Sequence, residues 1–138
     1  MDKLRLVDSA ADVRRFAYVP YSNFPVGAAL LTKSNRIFVG CNVENISLGL
    51  TICAEQAALS AAVANGDVDL VAAAVVSDSK EPIVPCGRCR QLLAEFNPKL
   101  EVISSTIDGQ KQILTLEDLL PRPKQGILEA VRNVRAAD

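Results

Sequence analysis

Two short segments concentrate the reactive side chains of this chain: Cys53-Ala54-Glu55 and Pro85-Cys86-Gly87-Arg88-Cys89-Arg90-Gln91. Cys86 and Cys89 stand three residues apart, so on a helix they share one face and can grip one ion. Cys53 closes a three-thiolate platform if the two segments begin neighbouring helices. Three protein ligands leave the fourth tetrahedral position of Zn2+ to water, which is the arrangement of a catalytic site. Glu55, two residues after Cys53, then stands beside that water without ligating the metal. A carboxylate placed there can take up a proton and return it to a substrate nitrogen.

Composition narrows the alternatives. The chain has no histidine, so Ser-His and Cys-His mechanisms are excluded and no imidazole can bind a metal. Its four cysteines are Cys41, Cys53, Cys86 and Cys89; in a reducing compartment such a set more often binds metal than forms disulfides. The plainest rival is a structural zinc site using all four, as in a non-catalytic zinc-stabilised binding module. It is disfavoured because Cys41 falls inside an expected strand, is followed by Asn42 and no tight turn, and such a site leaves Glu55 without a role. Cys41 is therefore expected to be a small buried core residue.

The elements that must position these groups follow from pattern. Asp8–Tyr18 reads as a helix stopped by Pro20, and Pro20–Pro25 as a loop. Val26–Thr32 and Ile37–Val43 are β-rich runs joined by Lys33-Ser34-Asn35-Arg36, a hairpin signal. Thr51 can cap a helix over Cys53–Ala64, closed by Asn65-Gly66. Leu70–Val76 is a continuous apolar run of strand length, as expected of a strand buried on both faces. Gly87–Phe96 reads as a second helix, so each reactive segment sits at a helix start, where free N–H groups and the dipole favour thiolate over thiol. Leu100–Ser104 is a further strand, a β-rich run includes Ile113-Leu114, and Thr115–Leu119 is a short helix. In Gly126–Ala136, Ile127, Leu128, Val131 and Val134 fall along one helical face. The order predicts one α/β domain over residues 1–138, three layers deep (α/β/α), with a mixed, mainly five-stranded sheet.

With 49% hydrophobic and 22% charged residues, the chain has the balance of a folded soluble protein. A net charge of −1 offers no basic field to nucleic acid or an anionic membrane. No apolar run is long enough to span a bilayer and the opening lacks a secretion signal, so a cytoplasmic location is expected.

The joint pattern of Cys-x-Glu followed by Pro-Cys-x-x-Cys is that of zinc deaminases acting on nucleobases. Along most of its length the chain resembles the small, homotetrameric zinc-dependent cytidine deaminases, a family that includes blasticidin S deaminases. The resemblance rests on Tyr18-Val-Pro-Tyr-Ser-Asn-Phe-Pro-Val-Gly27, Gly40-Cys-Asn-Val-Glu-Asn45, the two cysteine segments and Leu119-Leu-Pro121. It implies a cytidine-deaminase-like fold and zinc on Cys53, Cys86 and Cys89, with Glu55 as proton shuttle. It also implies Asn42 and Glu44 on the ribose hydroxyls, Phe24 against the pyrimidine, and the main chain of Ala54 and Cys86 on the base edge. Asn42 and Glu44 lie two apart at a strand end and so project to the same side. The implied reaction is hydrolytic deamination of cytidine and 2′-deoxycytidine to uridine and 2′-deoxyuridine with release of ammonia, in pyrimidine salvage. The implied partners are a free nucleoside and further copies of the chain, with neither nucleic acid nor membrane.

Three positions depart from the family pattern. Gln56 replaces an Arg whose cation offsets the zinc thiolates, leaving Arg90 and the Gln56 amide to tune them. Leu48 replaces a frequent Tyr. Lys124 stands in the register of a Phe after Leu-Leu-Pro that stacks on the base in a neighbouring subunit. Loss of two rings favours tolerance of modified cytosine nucleosides such as blasticidin S, the alternative substrate.

Overall fold

The computed structural model describes residues 3–123. Val26–Thr32 (VGAALLT) shows no polar alternation because both its faces are covered: every residue of this strand, β1, is buried. Its alternate residues serve two cores. Ala28 and Leu30 join Phe38, Leu59, Val75, Leu93, Leu100 and Leu116. Ala29 and Leu31 join Leu6, Val7, Ala10, Ala72, Val76 and Ile103 on the opposite face.

Around β1 the sheet adds β2 (Ile37–Cys41), β3 (Leu70–Ser77), β4 (Glu101–Thr106) and β5 (Lys111–Thr115). The strand order is β2-β1-β3-β4-β5, with β3 and β4 parallel and the other neighbours antiparallel. Helix α1 (Lys3–Arg14) covers one face through Leu6, Val7 and Ala10. Helices α2 (Ala54–Ala64), α3 (Gly87–Ala94) and the short α4 (Leu116–Leu119) share the other. This is the expected three-layer α/β/α architecture on a mixed five-stranded sheet. A parallel β3–β4 pair needs a crossover, and that crossover is the Pro85 segment with α3, which lays the second cysteine segment on the face already occupied by α2.

The alanine content of α2 has a local cause. A Cβ on Gly40 of β2 would stand 2.4 Å from Ala58 N and 2.6 Å from Ala54 O, so this helix lies backbone against backbone on the sheet, with Ala54, Ala58 and Ala62 turned inward and buried. On the opposite face a Cβ on Gly27 would stand 1.9 Å from Ala10 O of α1.

Several boundaries differ from expectation. The first helix begins at Lys3 and ends at Arg14: its buried stripe starts at Leu6, ahead of Asp8, and the chain after it turns to bridge Tyr18 to Val43. Strand β2 ends at Cys41, because Tyr18 N donates to Asn42 O (3.0 Å) and draws the chain out of the ladder. Cys41 itself is half-buried and outside both cores, a correction to its expected place. Helix α3 stops at Ala94, where Phe96 and Asn97 N–H groups both turn back to Leu93 O. The helical pattern of Gly126–Ala136 lies outside the described residues.

Candidate active site

Cys53 and Cys86, not Thr51, are the N-cap residues of α2 and α3, in extended conformation and with no side-chain capping bond. Neither thiol is spent on capping, so each stands at the positive end of a helix while its carbonyl starts the helical ladder to Ala57 and Arg90. Cys89, one turn into α3, is fully buried. The three sulphurs all lie within 4.8 Å of one another, and among the described residues this is the one such cluster of metal-ligating groups; Cys41 is not part of it.

The donor set fits Zn2+. Thiolates on one tetrahedral zinc, at a bond of about 2.3 Å, stand roughly 3.8 Å apart, and the Cys53 and Cys86 sulphurs are 3.9 Å apart. Burial pushes the Cys53 and Cys89 thiols up, and the negative charge of neighbouring thiolates and of Glu55 adds to the shift. For Cys86 burial also works upward, but hydrogen bonds from the Cys89 N–H and the two other thiols bring it below its ordinary value. Three thiols and a carboxylate packed this closely cannot all ionise unaided. A dication reverses that balance, since a coordinated thiol is deprotonated outright.

Glu55, in the first turn of α2, is buried, and burial raises its carboxyl above the usual range; its own N–H and the Cys89 thiol act in the other direction. It helps line a cavity of about 290 Å3 whose other walls are Phe24, Val26, Asn42, Thr51, Cys53, Ala54, Ile83, Val84 and Cys86. The structure thus brings together two of the three cysteines at the wall, Glu55, Ala54, Phe24 and Asn42. Ile83 and Val84, in a segment whose sequence reads as extended, were not among the expected site residues; their one signal was an apolar pair held between Pro82 and Pro85.

The polar residues expected at the rim are differently engaged. Asn42 Oδ1 accepts from Val26 N at 2.8 Å and its Nδ2 donates to Phe24 O at 2.9 Å. The side chain therefore fixes Phe24 at the cavity while keeping one N–H and one lone pair. Glu44 turns to the same loop, accepting from the Tyr21 and Ser22 N–H groups and the Ser22 hydroxyl. That hydroxyl chiefly holds its carboxylate below the ordinary range, against a smaller effect of burial. Glu44 does not line the cavity. Arg90 donates to Pro85 O (2.8 Å) and Leu119 O (3.1 Å), bracing the cysteine turn against α4 by carbonyl contacts. Gln56 Oε1 is buried with no hydrogen-bond partner. Leu48 is exposed and away from the cavity wall, and Lys124 lies outside the described residues.

A layered α/β fold with a three-thiol cluster and a buried carboxylate at a small cavity is the build of a zinc hydrolase. Residues 1–105 match the family described as the cytidine and deoxycytidylate deaminase zinc-binding region. A cytidine deaminase of Halalkalibacterium halodurans is 48% identical over 122 residues, covering 88% of this chain and 92% of the relative. One from Sporosarcina psychrophila is 44% identical, covering 88% and 90%. The 1.6 Å crystal structure of cytidine deaminase from Burkholderia pseudomallei superposes with a TM-score of 0.84 at 46% identity, covering 88% of this chain and 98% of that one. The chain belongs to the cytidine deaminase family of zinc-dependent hydrolases.

Proposed function

We propose that this protein hydrolyses the 4-amino group of free cytidine and 2′-deoxycytidine, giving uridine and 2′-deoxyuridine with release of ammonia. The observation that carries the reading is the burial of Glu55 beside the three-thiol cluster, at the wall of a cavity of about 290 Å3. Cys53, Cys86 and Cys89 would hold Zn2+, and Ala54 and Phe24 would frame the pyrimidine. When bound, zinc supplies an acidified water as the nucleophile. Glu55 accepts a proton from the attacking water and delivers it to N3 of the ring as oxygen adds at C4. It then passes the second proton to the exocyclic amine, which leaves as ammonia. Burial raises the Glu55 carboxyl above its usual range, the direction that suits a group that must give a proton as well as take one. Asn42, with its spare N–H and lone pair, reaches the ribose, and Glu44 contributes by holding the Tyr21-Ser22 turn.

The reading extends to a single domain, a homotetramer, a cytoplasmic location and a role in pyrimidine salvage. Support for association is a run of exposed apolar side chains after β2, Val43, Ile46, Leu48, Leu50 and Ile52, of the kind that marks interaction surfaces. Among the described residues no helix is long and apolar enough to cross a membrane. The decisive experiment incubates zinc-loaded protein with cytidine, deoxycytidine, blasticidin S and guanine and follows ammonia release. Turnover of guanine alone, or of none, overturns the reading; blasticidin S in preference to cytidine moves the substrate to the modified nucleosides. Light scattering at micromolar protein tests the tetramer.

A further inference from the structure

The ring of Phe24 forms part of the cavity wall, yet it belongs to no helix or strand: it lies in the Pro20–Pro25 loop ahead of β1. Such a ring is held in place by whatever bonds its backbone makes. Both polar groups of the Phe24 backbone are taken by side chains. Its carbonyl accepts from Asn42 Nδ2 at 2.9 Å, and its N–H donates to Ser22 Oγ at 3.1 Å. Asn23, between them, adopts a left-handed φ of 55°, which asparagine tolerates better than most residues. The Asn23 N–H closes a turn on Val19 O at 3.0 Å, so the chain bends just ahead of Phe24.

Ser22 is the hub of this loop. Its hydroxyl donates to Glu44, and its N–H donates to Glu44 Oε1 at 3.1 Å, where the Tyr21 N–H joins it at 3.0 Å. A serine hydroxyl carries one proton and two lone pairs. With the proton committed to the Glu44 carboxylate, the rotor is fixed and a lone pair faces the Phe24 N–H. Glu44 is itself anchored past the end of β2, its N–H donating to Tyr18 O at 2.9 Å. A path of hydrogen bonds thus runs from the sheet end through Glu44 and Ser22 to Phe24, and its link to an ionised acceptor is of the strong kind. Ser22 is exposed and does not line the cavity, so its effect on a substrate passes through the ring. Building on the reading of the cavity as a nucleoside site, we infer that Ser22 is a positioning residue: it sets the Phe24 ring, and through the ring how tightly the base is held, with no part in proton transfer.

The test compares the zinc-loaded chain with Ser22→Ala, Ser22→Thr, Phe24→Leu and the double variant of Ser22→Ala with Phe24→Leu. The readouts are amide exchange at Phe24, resolved by NMR, and steady-state kinetics with cytidine; zinc content and melting temperature serve as controls. Ser22→Ala should speed exchange of the Phe24 N–H by ~5-fold or more, while the Ala57 and Arg90 amides at the helix starts keep their rates. It should raise KM for cytidine by roughly 3–10-fold with kcat within about twofold, the loss of one hydrogen bond. Ser22→Thr, which keeps the hydroxyl, should restore both. On top of Phe24→Leu, Ser22→Ala should add little, because the two changes act through one ring. A fall in kcat with unchanged KM, or a loss that adds in full to that of Phe24→Leu, overturns the proposal, as does unchanged exchange at Phe24. Wild-type protein that turns over no cytidine overturns the functional reading instead; the exchange arm needs no substrate and then decides the Ser22–Phe24 link alone.

Discussion

The two sides of the cavity are built on different principles. On the thiol side the reactive groups stand at helix starts that the sheet fixes: Cys53 and Cys86 cap α2 and α3, and Glu55 lies one residue into α2. On the rim side Asn42 and Glu44 follow the end of β2, and their polar atoms bind the Pro20–Pro25 loop. The first side positions chemistry through backbone geometry; the second does so through side chains that act on other residues. Substitutions on the thiol side should therefore abolish a function outright, and those on the rim should loosen it by degrees.

The sharpest break comes from the metal. Cys89→Ser should lose zinc and lower the melting temperature strongly, because metal binding contributes directly to folding, whereas Cys41→Ala should keep one zinc per chain by metal analysis. Glu55→Gln comes next: zinc and fold remain, and turnover falls by roughly 10²–10⁴-fold, since the amide cannot carry the proton. Substantial residual turnover would remove Glu55 from the shuttle.

On the rim, Asn42→Ala removes two hydrogen bonds that hold Phe24 and Val26, at a cost of about 1–3 kcal/mol. A larger rise in KM than fall in kcat would mark it as a residue of binding. Gln56→Met should cost little or even stabilise, because it replaces an acceptor buried without a partner; a loss above about 2 kcal/mol would mean the amide serves the zinc thiolates.

The smallest effect is that of pH on the rim. Glu44 is held below the usual carboxylate range, chiefly by the Ser22 hydroxyl. A lowered acid stabilises in full above its unfolded pKa and loses that contribution as pH falls through the lowered value. The melting-temperature gap between wild type and Glu44→Gln should therefore narrow as pH is taken from neutral into the ordinary carboxylate range and below. A constant gap would place Glu44's contribution in packing.

The contrast also explains what could be read from the residues. Cys86 with Cys89, and Cys53 with Glu55, reveal their pairings because spacing on one helix is local; that the two segments meet came from the joint zinc-deaminase pattern, and the strands reveal themselves because β1 and β3 are almost wholly apolar. The start of α1 was hidden: the helix reads from Asp8, but Asp8 sits mid-helix, the buried stripe having begun at Leu6. Thr51 looked like a cap for the same local reason, while Cys53 holds the position. The commitment of Glu44 to Tyr21 and Ser22 could not be read either, because those partners are more than twenty residues away and only the folded sheet end brings them near. Ile83 and Val84 reach the cavity wall through the crossover path, which no periodicity encodes.

The close seating of α1 and α2 bears on motion. Gly27 and Gly40 occupy adjoining rungs of the β1–β2 ladder, and each meets helix backbone where another residue would carry a side chain. Backbone contact of that kind has no rotamers to yield, so neither helix can slide along the sheet without collision. The Cys53 cap and Glu55 ride on α2 and inherit this rigidity. Any adjustment of the cavity to a substrate then falls to the Pro20–Pro25 loop and the Ile83-Val84 wall, while Glu55, the proposed proton shuttle, stands still.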